Sequence, residues 1–292
     1  MPPHFIYINR GAAPFTGLLD LYPNANLAYG LRRLTVNYTG SLIRVRRSSD
    51  NAELDIGFDS NNDLDTTSLL SFAGSDSAYV VKMYNQSGVA YTSDARGRTA
   101  SEQPRIVNSG TLETLNGMPT MYFDGIDNQF IVDQGTGTSL PANYASDLST
   151  FQTVQINGFT TAGRLFSHYK TSTKRNFEFR QLTNTSGVMQ YLDGNTPSSN
   201  TFSSSAITTT SMSCLGFDRI AGTSIQIYQN NTQISNNTHN LVDAYIGAIY
   251  IMGDLSSAFN TEGYLSESIL YTSNQNSNRN NIYLNQKSYY GF

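Results

Sequence analysis

Asp59, Asn61, Asp63 and Asp65 carry oxygen donors at alternate positions, the most orderly ligand-like spacing in the chain. Hard oxygen ligands in that rhythm suit calcium. Position six of such a loop is Leu64, where the sharp turn calls for glycine, and position twelve is Leu70, where a glutamate normally closes the site. The stretch is therefore read as a polar turn, with calcium on these four residues as the alternative and no other cofactor expected. His4, His168 and His239 lie far apart in sequence and give no zinc spacing. Neither a Gly-x-Ser-x-Gly elbow nor a phosphate-cradling Gly-x-x-x-x-Gly-Lys loop occurs. Arg32, Arg33, Arg44, Arg46 and Arg47 make the main basic cluster. They read as a solvated face paired with Asp50 and Glu53, or as an interface, where arginine is enriched. Nineteen tyrosines against no tryptophan favour binding surfaces in general, because tyrosine combines flat area with a polar tip.

The elements that must position these residues are mostly strands. Charged residues are only 14% of the chain and the net charge is −4, so no strong field draws nucleic acid or an anionic membrane. Asn, Ser, Thr, Gly and Tyr supply the polarity, a turn-rich and strand-rich composition. Ser41 to Arg47 alternates, with Ile43 and Val45 inward. Strands are expected around Ile56, Ala78–Tyr84, Met121–Gly125, Phe151–Ile156, Phe177–Arg180, Val188–Leu192, Cys214–Phe217, Ser224–Tyr228 and Tyr245–Met252. Asn230-Asn231 suits a tight hairpin. Thr66 to Ala73 can form a short helix capped near Asp65, and Leu27, Leu31 and Leu34 fall at helical spacing. The lone Cys214 reads as a small buried hydrophobe, so no intrachain disulfide forms and the fold rests on its core. The start lacks a basic region followed by an apolar run, and no apolar stretch approaches about eighteen residues. Neither a secretory signal nor membrane insertion is expected. Residues 1–17 read as an arm in which Phe5, Ile6, Tyr7 and Ile8 form either a first strand or an edge that pairs with a neighbouring subunit.

Longer patterns carry a family resemblance. Leu21-Tyr22-Pro23, Ala28-Tyr29-Gly30-Leu31-Arg32-Arg33-Leu34, Tyr38 to Asp50, Asp55-Ile56-Gly57-Phe58 and Tyr84-Asn85-Gln86-Ser87-Gly88 together resemble the opening of the α-L-arabinofuranosidase B catalytic domain. That opening also occurs in bacteriophage virion and tail proteins. Asn116-Gly117-Met118-Pro119 leading to Phe123-Asp124-Gly125 looks like the start of a laminin-G-like sandwich. The end is similar to bacterial and viral members of that group. It has a strand, Gly263 to Tyr271, with an inward Glu, then a short helix that Ser277 can cap and Gly291 can close.

The resemblance implies an all-β, concanavalin-like jelly-roll β-sandwich with a few short helices over residues 18–292, preceded by the arm. It implies a bacteriophage virion protein, attached to tail or capsid, with a lectin-like domain for host-surface glycan adhesion or assembly. Its partners would be other virion proteins, a host glycan and further copies of itself. One alternative is a retaining glycosidase of arabinofuranosidase type, which needs two carboxyls roughly 5 Å apart. Glu178 and Asp254 then match the catalytic pair. The family's adjacent cysteine pair has no counterpart here, and the absent tryptophan removes a frequent sugar-stacking group. Outside that reading Glu178 is a solvated or paired strand residue and Asp254 a turn residue. A second alternative is a scaffold without a ligand.

Overall fold

The computed structural model describes residues 14–88, 94–132, 147–157, 163–171, 174–181, 187–195, 200–207, 211–238, 247–256 and 259–292. The expected assembly residues Phe5, Ile6, Tyr7 and Ile8 lie outside them.

The chain folds as an all-β sandwich of the jelly-roll class with a few short helices. One layer runs antiparallel from Glu53–Ile56 through Ile43–Arg47, Ala78–Met83, Arg105–Asn108 and Met121–Asp124 to the long strand Glu262–Tyr271. It continues through Leu148–Ile156, Ser213–Ile220, Ser224–Gln229 and Thr232–Thr238. The second layer is Phe130–Val132, Ala248–Ile251, Arg164–Thr171, Lys174–Gln181, Val188–Asn195 and Asn200–Ala206. The two-residue strand Ala95–Arg96 pairs with both layers.

The core is where the layers meet. Phe177, Phe179 and Tyr191 of the second layer pack on Phe217 of the first, with centroids 5.5, 5.4 and 4.8 Å away. Phe123 meets Phe130 edge-on at 5.6 Å. Each fully buried ring contributes about 1.5–3 kcal/mol of transfer free energy, which replaces the missing disulfide as the source of stability. Cys214 is buried, and burial pushes its thiol up to about 12, as suits an inert filler.

Local expectations meet the structure unevenly. The helix Thr66–Ala73 forms, and Asp65 accepts from the Ser68 amide at 3.0 Å. Asn230 and Asn231 both take positive φ, 48° and 61°, as a tight turn between Ser224–Gln229 and Thr232–Thr238 requires. The closing helix spans Arg279–Tyr290, with Asn278 rather than Ser277 at its N-cap and Gly291 left-handed at φ 72°. The helical spacing of Leu27, Leu31 and Leu34 misleads: Leu27–Gly30 is a strand paired with Glu267–Leu270. All four of its residues are buried, so it shows no two-residue alternation.

Candidate functional site

Glu178 sits between Phe177 and Phe179. Alternation along the strand turns those two rings into the sandwich core and Glu178 to the opposite face, together with Arg180. Ser167 lies opposite Glu178 on the neighbouring strand and Arg164 opposite Arg180. An outward strand face is usually wet. Here Glu178 is 0% exposed.

Two hydrogen-bond donors and a further cation meet the carboxylate. Arg164 Nε lies 3.0 Å and Arg180 Nη1 3.0 Å from Oε1, and the Tyr169 hydroxyl donates to Oε2. Burial, reinforced by the Glu178 charge, pushes the Tyr169 phenol far above its ordinary range, so Tyr169 remains a donor.

Asp254 reaches the same guanidinium from a different element. Its Oδ2 lies 3.7 Å from Arg164 Nε, and its Oδ1 accepts from the Ser256 amide at 3.0 Å and the Ser256 hydroxyl at 2.8 Å. The two carboxyls therefore share one arginine, with their facing oxygens about 7 Å apart at most. That bound admits the separation of a retaining glycosidase pair, about 5–5.5 Å. The turn after Ala248–Ile251 brings Asp254 there. Met252 takes a positive φ of 62°, unusual for its type. Gly253 cannot carry a side chain, since a Cβ would come within 2.4 Å of Gln129 Oε1 and 2.6 Å of Asn260 Oδ1. Bonds from the Arg164 amide to the Phe259 carbonyl (2.9 Å) and from the Thr261 hydroxyl to the Arg164 carbonyl (2.9 Å) pin the segment to the arginine strand.

Above this cluster is a hollow of about 320 Å³, lined by Arg164, Tyr169, Arg180, Asp254, Ser256 and Phe259. The Arg164 guanidinium lies over the Phe259 ring at 3.9 Å. Glu178 is not part of that lining; it lies beneath it, behind Arg164, Arg180 and Tyr169. Larger hollows of about 620 and 530 Å³ lie elsewhere.

The structure thus brings Glu178 and Asp254 together. Asp254 is the expected turn residue as well, while Glu178 is paired and fully enclosed rather than solvated. Sequence reasoning missed Arg164, Tyr169 and Arg180. One signal was present: Glu178 and Arg180 share a strand face at i, i+2. The bulges that bring Arg164 and Tyr169 onto the same carboxylate leave no such trace.

The other candidates lie apart from this hollow. Asp59 Oδ1 accepts from the Asn61 and Asp63 amides at 2.8 and 3.1 Å, Asp63 accepts from the Tyr289 hydroxyl at 2.6 Å, and Asp65 caps its helix. No cluster of three or more His, Cys, Asp or Glu suited to a metal occurs among the described residues. The arginine cluster divides. Arg44 pairs with Asp55 at 2.7 Å and more distantly with Glu53 at 3.8 Å, and Arg47 pairs with Asp50 at 2.6 Å. Arg32 is instead buried on Glu267. His168 is fully buried, and burial pushes it down to about 4, so it stays neutral and apart from acid–base work. Among the described residues no helix is long and apolar enough to cross a membrane.

No protein-family model and no curated protein matches the chain. Solved structures do. A GH54 α-L-arabinofuranosidase soaked with a cyclic sulfate inhibitor aligns with 92% of this chain at 14% identity and a TM-score of 0.63. An arabinofuranosidase complexed with arabinofuranosyl-α-1,2-xylobiose aligns with 92% at 13% identity and a TM-score of 0.67. The chain spans 64% of the length of both. A Trypanosoma rangeli sialidase with the inhibitor DANA aligns with 85% of this chain and 33% of its own, at 10% identity and a TM-score of 0.51. At such identities the likeness is one of fold: a β-sandwich shared with carbohydrate-active proteins.

Proposed function

We propose that the chain is a glycoside hydrolase acting on α-L-arabinofuranosides, with Glu178 as nucleophile and Asp254 as acid and then base. The observation that carries this reading is the convergence of two buried carboxyls from separate elements on Arg164, Asp254 lining a sugar-sized hollow and Glu178 beneath it. In the first step the Glu178 carboxylate bonds to the anomeric carbon while Asp254 gives its proton to the departing oxygen. In the second, Asp254 takes a proton from water, whose oxygen replaces Glu178 on the sugar. Arg180 and Tyr169 orient Glu178, and Arg164 must turn away from one of its oxygens to admit the sugar. The test is release of 4-nitrophenol from 4-nitrophenyl α-L-arabinofuranoside by wild type, Glu178→Gln and Asp254→Asn. Turnover lost in both variants supports the reading. Equal turnover in all three, or none in wild type, removes it.

A second reading has its own support. Glu178 lies behind Arg164, Arg180 and Tyr169 and is fully enclosed, as suits a pocket that holds a sugar without cutting it. On that reading the chain is a lectin-like adhesion module of a bacteriophage particle with a concanavalin-like sandwich, working through many copies and weak sites. The virion link rests on the resemblance of residues 21–58 to phage tail proteins. A glycan array read for both retention and sugar release separates the two: retention without release favours adhesion.

A further inference from the structure

A second hollow, of about 530 Å³, lies over the other layer. Its floor is a row of side chains that crosses the strands at matched register. Arg46 stands opposite Tyr79, Tyr79 opposite Arg105, Arg105 opposite Tyr122, and Tyr122 opposite Tyr264. Residues in register point to the same sheet face, so these five make one transverse stripe. The groups stack along it. Arg46 lies over the Tyr79 ring at 5.2 Å, Arg105 over the Tyr122 ring at 5.0 Å, and Tyr122 meets Tyr264 at 5.2 Å.

A stacked row can simply tie a sheet face together. Two observations go further. Two turns, Ala100–Gln103 and Asp124–Asn128, line the hollow over the row and are tied to each other by Asn128 Nδ2 donating to the Ser101 carbonyl at 2.7 Å. The Tyr79 and Tyr122 hydroxyls make no hydrogen bond among the described residues. The floor therefore offers flat aromatic area and hydroxyl tips without a protein partner among those residues, in a trough open to solvent.

Charge selects the occupant. Arg46 and Arg105 in the trough are balanced by Asp124 and Asp127. Arg46 Nε is already engaged by Gln103 at 2.8 Å and Arg105 Nε by Glu113 at 2.7 Å. Such a trough has no net attraction for a polyanion, nor the large apolar area of a stable protein interface. It suits a neutral chain of hydroxyls and flat rings. Tyr79 and Tyr122 are two strands apart, about 9.6 Å, close to the length of a disaccharide. One bond links the surroundings of the two hollows. Asn260, next to Phe259 of that hollow, donates to the Ile126 carbonyl of the wall at 2.9 Å. Ile126 crowns the wall at 75% exposure.

We propose that the Arg46–Tyr79–Arg105–Tyr122 trough is a second glycan site, binding a neutral oligosaccharide of two or more sugars on the layer that does not carry Glu178. The site does not require the first hollow to be catalytic. Its test is affinity electrophoresis of the full chain through gels holding neutral arabinoxylan, and through gels holding heparin as a polyanion. Two changes are compared with wild type: the double variant Tyr79→Ala/Tyr122→Ala, and Ser101→Trp, which fills the trough from an exposed rim position without touching the floor. The expected result is retardation of wild type by arabinoxylan, weakened about tenfold or more in both variants. Release of 4-nitrophenol by Ser101→Trp should match wild type. Arabinoxylan retardation equal in wild type and Ser101→Trp would overturn the proposal, as would no retardation of wild type. Retardation by heparin that the same variants abolish would also overturn it, since the ligand would then be anionic. Retardation lost in the variants of a chain that hydrolyses nothing would keep the trough and discard the catalytic reading.

Discussion

Two strand glutamates, Glu178 and Glu267, are each fully buried, and each is held by an arginine and a tyrosine. Arg32 Nε approaches Glu267 at 2.7 Å, Tyr290 donates to it at 3.1 Å, and Gln286 adds a bond at 3.0 Å. The Arg32 guanidinium also lies over the Tyr289 ring at 4.4 Å. The chemistry resembles that at Glu178, yet the surroundings differ. The helix Arg279–Tyr290 lies over Glu267 and supplies Gln286 and Tyr290, so the cluster is a clasp between helix and sheet. Over Glu178 there is a hollow, and a second carboxyl, Asp254, shares its arginine. A buried ion pair alone is thus a poor marker of function. The second carboxyl and the open volume distinguish a site from a clasp.

The sharpest way to break that contrast is to remove one charge from each cluster. Glu178→Gln should lower arabinofuranoside hydrolysis by about 10⁴-fold or more, roughly 5 kcal/mol of barrier. The chain should still fold, because Arg180 retains Gln190 at 3.2 Å and Arg164 retains Asp254. Glu267→Gln should act in the opposite sense. It leaves Arg32 buried against a neutral amide and should cost about 3–5 kcal/mol of stability, read as a lower urea midpoint. Any hydrolysis by the fraction still folded should be unchanged. A Glu267→Gln chain as stable as wild type would erase the distinction.

How much of each cluster was legible follows from this geometry. The inward Glu of the Gly263–Tyr271 strand could be read because its neighbours alternate and a helix with a glycine stop follows. Glu178 could be placed on a strand by Phe177 and Phe179, but its partners Arg164 and Tyr169 come from a neighbouring strand. Arg164 joins the site through register shifts at Arg164/Phe166 and Tyr169/Thr171, which alternation does not encode. The Leu27–Gly30 strand was hidden for the opposite reason. It is covered on both faces, so its apolar run carries no period of two. The tyrosine–arginine row was unreadable because it exists only across strands, each supplying one residue.

His168 gives a smaller effect that also bears on the second layer. Burial depresses it to about 4, below its usual 6.5, so the unfolded chain binds its proton first as the pH drops. Its contribution is intact above about 6.5 and is lost as the pH falls toward about 4, roughly 3 kcal/mol in all. His168→Gln should flatten that limb of a urea midpoint-against-pH curve. An unaltered slope between pH 6.5 and 4 would place the acid sensitivity elsewhere.

The smallest effect is expected at Asp65, which touches neither glutamate cluster. It caps Thr66–Ala73 through the Ser68 amide, and the Ser68 hydroxyl also donates to it, at 2.6 Å. Those bonds lower its carboxyl below the ordinary value, so its contribution is present above about pH 4 and fades as the pH falls. Asp65→Ala should cost about 1 kcal/mol at neutral pH, the usual loss of a cap. If the 59–65 turn is held only by its own hydrogen bonds, that loss is the same in calcium and in chelator. Suppose instead that calcium raises the wild-type midpoint and Asp65→Ala abolishes the gain. The turn would then be a metal site, and the cap a by-product of holding the ligand. A glutamate buried under a helix can only be a clasp, but an oxygen-rich turn at the surface can be either, and only the response to the ion separates them.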